Sequence, residues 1–188
     1  ANNAKAIELA EEICQAVACA EQVRYVSTGT EAVMYAIRLA RAHTRRDKIL
    51  KFEGGFHGMS SEGLMSLAPT RLENFPLAVP DSAGIPDNVR DNVLVAPFND
   101  SAAAAQIIGE YGDDIAAVIV EPLQRLLLPE PDFLETLRVM TQERGIILIF
   151  DEIVTGFRLA YGGAQERYGV TPDLCTLGKI VGGGFPLA

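Results

Sequence analysis

Apolar residues recur at helical spacing from residue 4 to residue 20, with Ile7, Leu9, Ala10, Ile13 and Val17 on one stripe. That pattern predicts an amphipathic helix. A short β-rich run at 23–27 reads as a strand and ends in Thr28-Gly29-Thr30, after which 31–42 is again helical and rich in Ala, Met, Ile and Leu. The same alternation continues along the chain. It predicts strands at 48–53, 92–96, 115–121, 146–151 and 174–177, with helices at 101–111 and 133–144. Strands alternating with helices specify an α/β fold with a largely parallel sheet. The run Ile146-Ile147-Leu148-Ile149-Phe150 is apolar on both faces, as a central strand covered by helices on each side must be. Residues 59–89 carry four prolines, four serines and no sustained period. They read as a long functional loop rather than a core element.

The totals narrow the class. A chain of 188 residues supports one well-buried domain and not two large ones. A net charge of −9 argues against nucleic acid or an anionic membrane as a partner, since both require a basic face. The longest apolar run, 145–150, is far short of the roughly 20 residues of a spanning helix. Three cysteines, an odd number without ligand spacing, and two histidines argue against a disulfide framework and a zinc cluster. A reducing, cytoplasmic compartment is expected. The chain begins inside a helical pattern without Met and stops soon after its most informative motif, so it is expected to be a fragment.

In parallel sheets, ligands bind at the carboxyl ends of the strands, and three segments carry candidate chemistry there. Ser27-Thr28-Gly29-Thr30-Glu31 joins a strand to a helix. Its small residues and helix N-terminus suit a phosphate, although a Thr N-cap followed by Glu explains it equally well. In Phe150-Asp151-Glu152 an acidic pair follows an apolar strand. Asp151 can cap a turn, hold a protonated ring nitrogen, or bind a metal, though no P-loop is present. In Thr176-Leu177-Gly178-Lys179-Ile180-Val181-Gly182-Gly183-Gly184, a lysine lies ahead of three glycines among apolar neighbours. It is expected to be buried, and desolvation frees such an amine to act as a nucleophile or Schiff-base former. Phosphate turn, ring-nitrogen acid and buried lysine together describe pyridoxal 5'-phosphate (PLP).

These segments resemble the class III aminotransferases, and within them the glutamate-1-semialdehyde aminomutase-like branch. The resemblance rests on Ser27 to Ala32, on Lys48-Ile49-Leu50-Lys51-Phe52-Glu53-Gly54-Gly55-Phe56-His57-Gly58, and on Pro80-Asp81-Ser82-Ala83-Gly84-Ile85-Pro86. It rests further on Glu121-Pro122, on Asp151 to Arg158 and on Thr176 to Pro186, all in the family's order. It implies an aspartate-aminotransferase-like (fold type I) large domain spanning 1–188, without its small domain and part of its N-terminal segment, and a homodimer when full length. It also implies small-molecule partners: an amino donor and a keto or aldehyde acceptor.

Residue by residue, the resemblance makes Lys179 the Schiff-base lysine and proton carrier, and Asp151 the partner of the pyridine nitrogen. Thr28, Gly29 and Thr30 would hold the phosphate. Phe56 would stack on one ring face, Ile153 would pack on the other, and His57 would help set the environment. Glu121 and Arg158 would be structural or supporting. Residues 59–89 would gate the site, unless they form a fixed loop packed by Leu64, Leu67, Leu72 and Phe75.

Two departures stand out. Many relatives carry a glutamine near the cofactor's phenolic oxygen where this chain has Val154. Relatives also follow Glu-Pro with Gly and then Glu or Asn, whereas this chain reads Glu121-Pro122-Leu123-Gln124-Arg125-Leu126. The departures weaken a specific assignment as the aminomutase, an isomerase, and favour a general transaminase of amino or β-amino acids at least as well. A PLP racemase or decarboxylase would use the same lysine and aspartate, and a non-catalytic fragment would keep the motifs without activity.

Overall fold

The computed structural model describes residues 3–69, 71 and 73–188. It opens with α1 (Ala4–Ala16) and α2 (Gly29–Thr44), followed by β1 (Lys48–Phe52) and a short α3 (Asp87–Arg90). Then come β2 (Val93–Ala96), α4 (Ser101–Tyr111), β3 (Ile115–Val120), α5 (Phe133–Arg144), β4 (Ile147–Glu152), α6 (Gly163–Tyr168) and β5 (Leu174–Leu177). A 3₁₀ turn, Lys179–Gly182, follows. The strands form one sheet in the order β2-β1-β3-β4-β5. All four pairings are parallel. Among the described residues, no helix is long and apolar enough to cross a membrane.

Strand alternation sorts the core into two layers. Leu50, Phe52, Val118, Val120, Leu148 and Phe150 face α4 and α5. Ile49, Val93, Val95, Ala117, Ile119 and Ile149 face α2, which contributes Val33, Ala36, Ile37 and Ala40. Every residue of β3 is buried, as its apolar sequence on both faces requires. The sheet therefore has helices on both sides and an α/β architecture.

Two expectations are corrected. Residues 23–27 are not a strand among the described residues, and Val26 exchanges two backbone hydrogen bonds of 2.9 Å with Ala188. α1 stops at Ala16, where Val17 turns extended and is buried. The six-residue α6, which opens at Gly163, is too short for a hydrophobic period to register in the sequence.

The loop at 59–89 is also less irregular than its composition suggests. It contains α3, and Met65 and Ala78 belong to the α2-side core. Ser66 N–H donates to the Val79 carbonyl and Asp81 N–H to the Leu64 carbonyl, the Asp81 carboxylate accepts from Leu67 N–H, and Val95 N–H donates to the Pro76 carbonyl. Leu64 and Leu67 are half-buried, Phe75 is exposed, and Leu72 lies outside the described residues.

One polar side chain secures the loop to the sheet. Lys51 shares the face of Ile49 on β1 and is fully buried, and its Nζ donates to the Met65 carbonyl. Burial pushes its ammonium down to about 8, with the negative charges of Asp81 and Glu121 opposing that shift. Unfolded, a lysine titrates near ~10.4. Between about pH 8 and ~10.4 the unfolded chain holds a proton that the folded one has released, so folding is favoured as pH rises through that window. The gain is about 3 kcal/mol across the window. Lys51→Met is expected to abolish this rise relative to the parent, read as the difference in urea midpoints at pH 7.5 and pH 10.

Candidate active site

Parallel pairing collects the candidate residues at one edge of the sheet. β4 and β5 are in register at Asp151 and Thr176. The Thr176 hydroxyl donates to Asp151 Oδ1 at 3.1 Å, and Lys179 follows three residues later. From the end of β1 the chain turns through Gly54-Gly55 and delivers Phe56 and His57. These elements and the start of α2 surround a cavity of about 290 Å³. Thr28, Gly29, Thr30, Phe56, His57, Asp151, Ile153 and Lys179, all read as site residues from sequence, line it.

At α2 the capping reading of the Gly-Thr segment is observed, and further donors remain beside the cap. Thr28 is the N-cap, its hydroxyl accepting from Glu31 N–H at 3.2 Å. Glu31 Oε2 in turn accepts from Ser27 N–H at 2.9 Å and Thr28 Oγ1 at 3.1 Å, which closes a capping box. The Thr28 hydroxyl is therefore committed to the cap. The Gly29 and Thr30 N–H groups have no acceptor among the described residues, and they lie at the positive end of a 16-residue helix. Thr30 Oγ1 accepts from Met59 N–H at 3.2 Å and keeps its own hydrogen to donate. An anion fits these three donors.

The acidic pair divides by strand alternation. Asp151 is 4% exposed on the cavity side. Its Oδ1 accepts from Ile153 N–H at 3.2 Å, and its Oδ2 lies 2.7 Å from His57 Nδ1. Glu152 points away and is fully buried, accepting from Thr155 Oγ1, Ala164 N–H and Gln165 Nε2 at 2.9, 2.5 and 3.0 Å. Glu152 thus secures α6, and the two carboxylates do not converge on one ion.

Lys179 lines the cavity and, within residues 1–188, is exposed rather than buried as expected; the glycines beside it supply no side chains to cover its stem. Its backbone is unusual: φ is 49°, a left-handed conformation that a side chain adopts only when its surroundings impose it. Ile153 is wedged beside the cavity, since a Cβ on either Gly29 or Gly178 would come within 3.0 Å of its Cδ1.

Glu121, at the end of β3, is nearly buried and accepts from Phe56 N–H at 2.9 Å, which sets the backbone that carries the aromatic ring. Burial pushes its carboxyl up, against the opposing pull of the Phe56 N–H and of His57. Arg158 and Arg125 are exposed and do not line the cavity, so Glu121 is the supporting residue of that group. Sequence reasoning missed Gln124, Lys51, Gly58 and the wall formed by Phe185, Pro186 and Leu187. The Gly54-Gly55 pair ahead of Phe56 was the available signal that side chains crowd that turn.

Gly58 shows how tightly the cavity floor is built. Its φ is 88°, and a Cβ there would lie 2.7 Å from Thr30 Oγ1 and 2.8 Å from Thr30 Cα. Gly84 has nearly the same φ, 85°, with nothing within 4 Å. Gly84→Ala is expected to cost about 1–2 kcal/mol from backbone strain alone. Gly58→Ala is expected to cost at least about 1 kcal/mol more, since Thr30 backbone cannot yield. Denaturant midpoints of the two variants test the difference.

A parallel sheet, a helix N-terminus with free donors, a buried aspartate–histidine pair and a lysine in a strained turn define a class, and the comparisons agree with it. The family model for aminotransferase class-III matches residues 1–188, so the chain belongs to that family. Among individual relatives, it is 53% identical over 184 residues to glutamate-1-semialdehyde 2,1-aminomutase of Methanothermobacter thermautotrophicus, covering 96% of this chain and 43% of that protein. An ω-transaminase from Sphaerobacter thermophilus superposes with a TM-score of 0.90 at 45% identity, over 96% of this chain and 42% of the other. A transaminase solved with PLP bound gives 0.91 at 32% identity, over 100% and 44%. The chain thus spans less than half the length of these relatives.

Proposed function

We propose that the protein carrying this chain is a PLP-dependent class III aminotransferase, with residues 1–188 in its cofactor-binding large domain. It moves an amino group between an amino acid, or an ω- or β-amino compound, and a keto or aldehyde acceptor. The observation that carries this reading is the convergence of Lys179, the Asp151–His57 pair and the free N–H groups of α2 on one cavity. PLP, when bound, supplies an aldehyde that links to amines and a ring that accepts an electron pair from the substrate carbon.

Each residue has a task that follows from its place. The Gly29 and Thr30 N–H groups and the Thr30 hydroxyl would receive the phosphate, with the α2 dipole adding to the attraction. Phe56 and Ile153 would pack against the ring. The Asp151 carboxylate, held by Thr176, Ile153 and His57, would favour a proton on the ring nitrogen. Lys179 Nζ would hold the cofactor and supply the amine that takes and returns the proton of the substrate carbon.

The aminomutase is a second reading, favoured by the 53% identity to a protein of that name. It uses the same residues, and the loss of the polar residue that relatives carry after Glu-Pro, noted above, weakens it. We further propose a homodimer in the cytoplasm, supported by family membership and by the odd cysteine count.

Incubation of the full-length protein with an amino donor, with and without a keto acid, separates the readings. A new amino acid formed only with the keto acid supports transfer, and an isomer or decarboxylated product formed without it overturns that reading. Lys179→Ala should remove the borohydride-sensitive visible absorbance and slow turnover by at least about 10²–10⁴-fold. A borohydride adduct mapped to another lysine would refute the assignment. Asp151→Asn should retain the cofactor and slow turnover by at least about 10²-fold, because the ring nitrogen loses the anion that keeps it protonated. Near-normal turnover would make Asp151 a turn residue only.

A further inference from the structure

His57 is 2% exposed and Gln124 is 3% exposed. Each carries one buried side-chain atom without a hydrogen-bond partner, His57 Nε2 and Gln124 Oε1. Leaving such atoms unmatched in a dry interior is costly, and native folds rarely do so. The two orphans are neighbours. A Cβ built on Gly55 would lie 3.0 Å from each of them, so they are no more than 6.0 Å apart, and the next nearest atom to that point is the Phe52 carbonyl oxygen at 3.1 Å.

The chemistry of the surrounding atoms fixes which of them donates. Gln124 Nε2 lies 2.7 Å from the Glu53 carbonyl, an acceptor, so that end of the amide is its NH₂ and the end facing His57 is its oxygen. His57 Nε2 and Gln124 Oε1, a ring nitrogen and an acceptor, thus lie unpartnered around one point, which the Phe52 carbonyl, already accepting from Gly55 N–H, also borders. We infer that Gln124 is a positioning residue that fixes a proton on His57 Nε2.

The consequence reaches Asp151 through the other side of the ring. With a proton on Nε2, it is the Nδ1 side of the ring that faces Asp151 Oδ2 across 2.7 Å. Glu121, the other carboxylate near His57, is engaged by Phe56 N–H. Gln124 therefore acts on the Asp151 contact through the far side of the ring. Its bearing on a cofactor ring rests on the function proposed above, but the ring's tautomer does not.

The test uses the full-length protein without cofactor, with ¹⁵N-labelled histidine rings and a His57→Asn variant for assignment. The expected spectrum shows a protonated His57 Nε2 with a slowly exchanging hydrogen. In Gln124→Met that proton should be lost or exchange at least 10-fold faster, while Gln124→Glu, which keeps an acceptor in place, should retain it. Gly55→Ala, which drives a methyl between the two groups, should act like Gln124→Met. A bare Nε2 in the parent protein overturns the inference without recourse to any variant, and so does unchanged exchange in Gln124→Met. Failure of the protein to bind PLP would instead sink the proposed function and leave the tautomer standing.

Discussion

The register between β4 and β5 is the constraint on which the site depends. Asp151 lies opposite Thr176, and the pairing continues one residue further to Glu152 and Leu177. A slip of one residue would turn Asp151 toward α6 and bring Glu152 to the cavity, because strand side chains alternate faces. Three features hold the register against that slip. Phe150 and Ile149 are buried in opposite core layers, Glu152 is bound by the start of α6, and the Thr176 hydroxyl reaches Asp151. The distance along the chain from Thr176 to Lys179 is short, so whatever fixes the strand also fixes where the lysine turn begins.

Much of this was legible in the sequence because the relevant signals are local. α4, α5 and β5 run between the residues their periodicity marks, and all eight residues singled out for the site line one cavity. What escaped depends on distant partners. Residues 23–27 have strand composition, but pairing needs a neighbour, and composition does not reveal one. Lys179 was expected to be buried because its neighbours are apolar or glycine. Burial requires side-chain volume, which glycines do not have. Lys51 is the buried lysine, and its position between Leu50 and Phe52 on a strand gave little warning, since a charged residue in such a run ordinarily marks a solvent face.

The segment after Glu121-Pro122 shows the same limit from another direction. In sequence, Gln124 registers only as a departure from a pattern. In the fold it is buried, bound to the Glu53 backbone and turned toward His57. Its neighbours Arg125 and Leu126 take left-handed backbone conformations, with φ of 47° and 70°, and close a tight hairpin in which Gln124 and Leu127 exchange backbone bonds. That turn holds Gln124 inward while three leucines, Leu126 to Leu128, face outward.

The bareness of the lysine turn affects motion as well as exposure. In the proposed chemistry the Lys179 amine must first be a tether, then let go, then act at a different atom, so one side chain has to occupy at least two positions in each cycle. A lysine packed along its stem surrenders up to about 2 kcal/mol of rotamer freedom on folding and would have to break contacts to move. Lys179, set between Gly178 and the run Gly182-Gly183-Gly184, has a strained backbone that holds the root of the side chain in place. The turn gives a fixed pivot, and its glycines put no side chain in the way of the arm.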